Sequence, residues 1–299
     1  MELFAPAPFD VHNLTEASVG VVKDADGHVL AREAILKYTQ NQAYMVLQEL
    51  DKSVAGKDLL VKNEDSLHLK LIKIETEKEN RRLLPIAQQF HSVPAARHAE
   101  NHLSDLLAAH SLGRFNLELK KNVTIDSYEL TDSWRDDAGF IVTDRNVFVE
   151  NTYDAQKLVA ALTLSSEKIV AYTPTDFDAL ADFDATVCGF SRENYLELLV
   201  KNSKVFVAKS GSVDGYIAGN GEKINALYAE TIELAHSLIA AYIKQLGLKS
   251  VRFFAVQGVW PENVKPLKSR FVHRRHTRAV PSLLKFSKIY ALNMGVHIV

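Results

Sequence analysis

The chain has 299 residues, 47% apolar and 24% charged, an ordinary balance for a globular protein whose length points to two cores. A formal net charge of −2 excludes a global basic field for nucleic acid or a membrane surface, and one cysteine, Cys188, excludes an internal disulfide and a cysteine-rich zinc site. The start of the chain lacks a basic segment followed by an apolar run. No stretch approaches the roughly 20 apolar residues that span a bilayer, so the expected setting is reducing and cytoplasmic.

Val19–Val22, the turn Asp24–Gly27 and His28–Ala31 read as strand, turn, strand, because turn residues separate two short apolar runs. Ala31–Leu50 carries Ile35, Tyr38, Tyr44, Leu47 and Leu50 at helical spacing and is expected to be a helix. Leu67–Ile74 alternates apolar and polar residues, as a half-buried strand does. Within Leu83–Val93 a strand is expected between Pro85 and Pro94, followed by Ala95–His110 as a helix ended near Gly113, Phe115–Leu119 as a strand and Asp126–Ala138 as a helix. Thr143–Lys168 reads as the linker region, with helical character over Ala155–Leu164.

The second half repeats the order. Ile169–Tyr172 is a strand, Pro174–Phe183 a short helix, and Ser191–Lys201 a helix that Ser191 is suited to cap. Val205–Ala208 and Val213–Ala218 form a hairpin whose turn contains Gly211, and Asn220–Gly221 signals a second hairpin into the strand Ile224–Tyr228. Thr231–Leu246 is an amphipathic helix ended by Gly247, followed by the strand Val251–Val256. Pro261–Arg270 reads as a helix starting on proline, and Ile289–Leu292 and Val296–Val299 as closing strands.

Particular residues sharpen this order into a resemblance. Asp184-Ala-Thr-Val-Cys-Gly-Phe-Ser-Arg-Glu-Asn-Tyr195 resembles the entrance segment of a GNAT-like C-terminal module found in some bacterial acetyltransferases and tandem-GNAT animal proteins. Val213-Asp-Gly-Tyr-Ile217 is similar to its hairpin strand, and Ile224–Glu230 with Ala235 to its fourth strand and following helix. Pro261-Glu-Asn263 and Arg278 fall where that module has a helix start and a late strand. In the first half, Val93-Pro94-Ala-Ala-Arg97 and the run Tyr128 to Gly139-Phe140 are similar to the entry of the GNAT cofactor loop and a later pattern. The resemblance implies an α/β protein of two tandem GNAT-like domains, each a twisted mixed, mainly antiparallel sheet flanked by helices. Residues 1–150 would form a divergent N-terminal domain, 151–168 the linker and 169–299 the C-terminal domain.

That family holds the coenzyme A pyrophosphate on backbone N–H groups at the start of the helix after the fourth strand, where unpaired donors and a partial positive charge favour anions. Arg97-His-Ala-Glu100-Asn-His102 stands where the glycine-rich signature would be and has no glycine. Tyr228-Ala-Glu-Thr-Ile-Glu-Leu-Ala235 also lacks one and places Glu230 and Glu233 at the helix start, where carboxylates stabilise a free helix end equally well.

The resemblance implies acetyl-CoA or another acyl-CoA as co-substrate, bound by Tyr228, Ala229, Thr231, Asn263 and Arg97. Glu230 would be the general base and Tyr228 the acid, with Tyr216, Phe190 and Trp260 about a small-molecule amine or amino-acid-like acceptor. Each has a plainer role: Tyr228 as a strand-end core residue, Glu230 as a helix-start acid, Asn263 as a turn residue, Trp260 as core. Two functions follow, an acyl-CoA-dependent N-acyltransferase or a catalytically inactive relative that binds a metabolite or protein partner. His98 and His102 share a helix face, but a third ligand such as His91 would have to come from the preceding strand, so no metal site is expected and exposed helix residues are the plainer reading. The basic run His273-Arg-Arg-His276 with Lys265, Lys268, Arg270 and Arg278 suits a phosphate, an acidic partner or plain solvent.

Overall fold

The computed structural model describes residues 17–37, 42–51, 58–63, 68–75, 90–93, 122–127, 135 and 140–292. The chain divides by its contacts into two compact units, Met1–Thr143 with Arg274–Ala279, and Asp144–His273 with Val280–Val299.

The described part of unit 1 is built from β1 (Ala17–Lys23), β2 (Val29–Lys37), β3 (Gln42–Leu50), β4 (Asp58–Asn63), β5 (His68–Glu75), β6 (Phe90–Val93), β7 (Asn122–Ser127) and β8 (Val142–Thr143). β1–β2, β2–β3, β4–β5 and β4–β6 pair antiparallel, whereas β1–β5 and β3–β7 pair parallel. The expected turn after β1 is present: Asp24 Oδ1 accepts from the N–H groups of Asp26 and His28 at 2.9 and 2.8 Å, and Gly27 has φ 87°.

The expected helix over Ala31–Leu50 is instead the antiparallel pair β2–β3. Polar Thr39-Gln-Asn-Gln42 divides the apolar run, and β-branched and aromatic residues on either side suit a pleated surface better than one long helix. The expected helix from Asp126 begins as strand, with Arg135 helical. The readings over Ala95–His110, Phe115–Leu119 and Val296–Val299 lie outside the described residues.

Arg274–Ala279 is tied to β7 by a buried ladder of polar contacts. Arg274 donates from Nε and Nη2 to the two carboxylate oxygens of Asp126, each at 2.8 Å, with both side chains essentially inaccessible. His276 Nδ1 lies 2.8 Å from Thr124 Oγ1, and the Val123 N–H donates to Thr277 Oγ1 at 2.9 Å. Arg274, Arg275 and His276 are all buried, so the centre of the expected basic cluster is an interior structural element.

Unit 2 contains β9 (Phe148–Asp154), α1 (Ala155–Ala160), β10 (Lys168–Ala171), α2 (Phe177–Cys188), α3 (Glu193–Asn202), β11 (Lys204–Lys209) and β12 (Val213–Asn220). It continues with β13 (Lys223–Ala229), α4 (Ile232–Leu246), β14 (Ser250–Val256), β15 (Lys268–His276, whose last residues belong to unit 1) and β16 (Ile289–Ala291). The strand order is β10-β11-β12-β13-β14-β9-β15. Only β13–β14 is parallel among the neighbours of this unit's order; the rest are antiparallel.

Side chains alternate across a strand, which separates two packed faces. Ile217, Leu227 and Ala229 join the core with Leu234, Leu238 and Tyr242 of α4. Tyr216 and Tyr228 point the other way, towards Asp184 of α2 and Arg192 just before α3. α4 is held as its sequence demands: Thr231 Oγ1 accepts from the Leu234 N–H at 3.2 Å, and Gly247 closes the helix at φ 63°.

Three local expectations are corrected in this unit. Residues read as linker include the end of β9, which lies between β14 and β15. Pro261–Arg270 is a turn leading into β15, because Pro266 lacks an N–H and its ring would clash with a helical carbonyl four residues back. Ser191 does not cap α3: the helix starts at Glu193, and Ser191 Oγ donates to the Glu193 carboxylate at 2.9 Å. Among the described residues, no helix is long and apolar enough to cross a membrane.

Candidate functional site: a seam closed by the chain's own strand

β13 and β14 run parallel and are in register only at Lys223 and Arg252, where the Arg252 N–H donates to the Glu222 carbonyl at 2.7 Å. Past this point the pair opens into a seam, and β16 fills it. β16 pairs antiparallel with β13 through Leu227 with Ala291 and Tyr228 with Ile289. On its other side the Leu292 N–H donates to the Phe254 carbonyl of β14 at 2.7 Å. Ile289, Tyr290, Ala291 and Leu292 are all buried. Trp260 Nε1 donates to the Tyr290 carbonyl at 2.8 Å, and Lys288 Nζ meets the Glu230 carboxylate at 2.5 Å.

The segment before β16 covers the neighbouring loop. Gly189 ends α2 at φ 80°, and a Cβ built there would lie 2.4 Å from Leu283 Cβ. The Lys285 N–H donates to the Val187 carbonyl at 3.0 Å. Leu283–Leu292 therefore lies both along the α2–α3 loop and within the β13–β14 seam.

Beneath that loop is a buried polar cluster. Arg192 donates from Nε and Nη2 to Asp184 at 2.7 and 2.6 Å, with both side chains fully buried. Tyr216 OH donates to Asp184 Oδ2 at 2.6 Å, and Arg192 Nη2 reaches Tyr228 OH at 3.3 Å. The guanidinium also lies 4.8 Å from the Tyr195 ring centroid and 5.6 Å from that of Tyr228. Burial opposes charge on Arg192, but Asp184 outweighs it and holds the guanidinium above its ordinary range. Burial pushes the phenols of Tyr216 and Tyr228 well up, with Asp184 adding to the rise, and pushes the Cys188 thiol up too. These hydroxyls stay protonated at neutral pH and are committed to an internal network.

The sequence-derived site residues scatter across different environments. Tyr228, Ala229 and Tyr216 are wholly buried, and Trp260 is nearly so. Glu230 stands 41% exposed beside Lys288, its N–H donating to the Asp214 carbonyl. Thr231 caps α4, Asn263 is exposed in the turn after Pro261, and Phe190 is partly buried after Gly189. Arg97 lies outside the described residues.

Tyr228 and Tyr216 are brought together, with ring centroids 5.3 Å apart. Asp184 and Arg192, which organise that pair, received no role from the sequence. Their signal was an acid and a base eight residues apart across the Gly189 break. Asp24, Asp26 and His28 converge closely enough to share a metal, but the Asp24 carboxylate already accepts from the Asp26 and His28 N–H groups and meets His28 Nδ1 within the β1–β2 turn.

Comparison with known proteins extends the fold, not the chemistry. A family model described as a domain of unknown function (DUF7596) matches residues 2–142. No curated protein matches the chain. Among solved structures, a "putative acetyltransferase" from Pyrococcus horikoshii aligns at 11% identity and TM-score 0.52, covering 90% of this chain and 76% of that one. A GCN5-related N-acetyltransferase from Kribbella flavida aligns at 11% identity and TM-score 0.46, covering 83% of this chain and 57% of that one. N-myristoyltransferase from Saccharomyces cerevisiae, with bound myristoyl-CoA and inhibitors, aligns at 9% identity and TM-score 0.45, covering 91% and 72%. The likeness to the Pyrococcus protein is one of fold: a mixed sheet with flanking helices.

Proposed function

We propose that the chain comprises two tandem GNAT-like domains and that the second is catalytically silent, the protein serving to bind a metabolite or a protein partner in the cytoplasm. The observation that carries this reading is the position of β16. Its backbone pairs with β13 at Leu227 and Tyr228, and Leu292 takes the Phe254 carbonyl on the β14 edge, so an acyl donor would compete with a buried strand at both edges. The neighbouring tyrosines support the same reading, since Tyr228 is fully buried and bound to Arg192. Glu230 is held in an ion pair by the residue that precedes β16. A buried, reduced Cys188 suits the cytoplasmic setting.

The second reading is an acyl-CoA-dependent N-acyltransferase on a small amine, with acetyl-CoA or another acyl-CoA as donor. It is favoured by the fold likeness to the Pyrococcus protein over nine-tenths of the chain. In that reading Glu230 is the base, Tyr228 the acid, and β16 must leave the seam or the first domain must carry the reaction.

A thermal-shift titration with acetyl-CoA and longer acyl-CoAs, run beside a free-thiol assay with an amine panel, separates the two. The silent reading predicts no rise in Tm and no thiol release. Stabilisation of about 2.7 kcal/mol at 100-fold over Kd, with thiol released, would establish the transferase instead. Glu230→Gln would then slow turnover if Glu230 is the base.

A further inference from the structure

Between α1 and β10 the chain passes over the first two turns of α4, and polar contacts to Glu233, His236 and Ser237 hold it there. The Ser165 N–H donates to Ser237 Oγ at 2.8 Å and to the Glu233 carbonyl at 3.3 Å. Ser237 Oγ returns a longer contact of 3.4 Å to the Ser165 carbonyl. His236 Nδ1 lies 3.3 Å from the Thr163 N–H nitrogen and 3.1 Å from the Thr163 carbonyl oxygen. Leu164 and Ser165 form one wall of a groove of about 590 Å³, whose other sides include Ala155, Val159, Ala241 and Lys244.

His236 is the unusual member of this fastening. It is only 5% exposed, its ring centroid sits 5.6 Å from that of Trp260, and its Nε2 is buried without a hydrogen-bond partner. A neutral imidazole satisfies Thr163 in either tautomer, donating from Nδ1 to the carbonyl or accepting there from the N–H. A protonated ring carries a second N–H at Nε2 with nothing to receive it, so the charged form loses hydration that the Thr163 carbonyl offsets only in part.

We propose that Thr163–Ser165 is an acid-released strap, which protonation of His236 detaches from α4, opening that wall of the groove. The Thr163 carbonyl, and after it Glu233 one turn earlier on α4, favour the charged ring and pull the other way. The strap offers the ring Thr163, and the turn after β14 offers the Trp260 ring, both uncharged. The Tyr290 phenol, which also feels Glu233, is raised by burial and stays neutral.

Burial leads the opposing effects and holds the imidazole below its ordinary value of 6.5. The released ring regains that value. The strapped form is therefore fully favoured above about pH 6.5 and weakens by roughly tenfold per pH unit below it, until the lowered value is reached.

Hydrogen exchange on the full chain between pH 7.5 and 5.0, corrected for intrinsic rates, tests this. Protection of the peptide covering residues 161–168 is expected to fall as the pH drops below about 6.5 and to level off once the lowered value is passed, while the last turns of α4 stay protected. His236→Gln is expected to abolish the acid dependence. Should that variant fail to fold, Ser237→Ala serves, with protection lower at every pH and the same slope. Constant protection in the wild-type protein, or an unchanged acid response in His236→Gln, overturns the proposal.

Discussion

The β13–β14 seam and the α1–α4 groove lie in the same unit, yet the chain treats them oppositely. It drives its own strand into the first and leaves the second open behind a strap. The physical difference is where the backbone polar groups point. Two parallel strands that separate expose N–H and C=O groups along both inner edges, and each buried group left unpaired costs about 1–3 kcal/mol. Only another peptide backbone, or a ligand shaped like one, can meet both rows. Helices satisfy their backbone internally, so a gap between two helix faces forgoes apolar contact alone. A seam in a sheet must be filled; a groove between helices can wait for a ligand.

That contrast predicts a ranking of mutational effects, with everything tied to the seam and its covering loop ahead of everything on the groove. The largest belongs to the buried pair. Asp184→Ala leaves Arg192 charged and unpaired in the interior and is expected to cost about 3–5 kcal/mol, read by urea unfolding of the full chain. The double variant Asp184→Leu/Arg192→Met should recover much of that loss; a double variant as unstable as the two singles combined would mean the pair is not coupled as drawn.

Gly189→Ala comes next, at about 1–3 kcal/mol, since alanine is strained at that φ and its Cβ meets Leu283. Its signature is local. Leu283–Lys285 should lose protection from exchange before the sheet does, and simultaneous loss would place the strain elsewhere. Lys288→Ala removes a partly exposed ion pair with Glu230 and should cost at most about 1 kcal/mol, less at high salt. An effect as large as that of Asp184→Ala would show that the ion pair, and not the buried strand, closes the seam.

Much of unit 2 was legible from its residues because its signals are local. Thr231 and Gly247 bracket α4 as caps, and the turns at Gly211 and Asn220-Gly221 set the two hairpins. Where local signals conflicted, the reading failed. The run Ala31–Leu50 has helical spacing but is paired as two strands, and the proline opening Pro261–Arg270 is followed by another that forbids the helix. The candidate site was legible in part. Tyr216 and Tyr228 are adjacent strand residues on one face, which hairpin register gives directly. That Arg192 and Asp184 seal them, and that Ile289–Ala291 enters the seam, depends on contacts tens of residues apart that no local pattern encodes.

The account rests on the seam being held by β16 in the folded chain, and the amides of Ala291 and Leu292 report on that directly. Titrating acetyl-CoA into isotope-labelled full-length protein while following these two resonances isolates the seam from any binding elsewhere. Unmoved, slowly exchanging signals up to millimolar ligand are the predicted result. A saturable shift of both signals, with loss of their protection, would show the ligand taking the strand's place and contradict the closed seam.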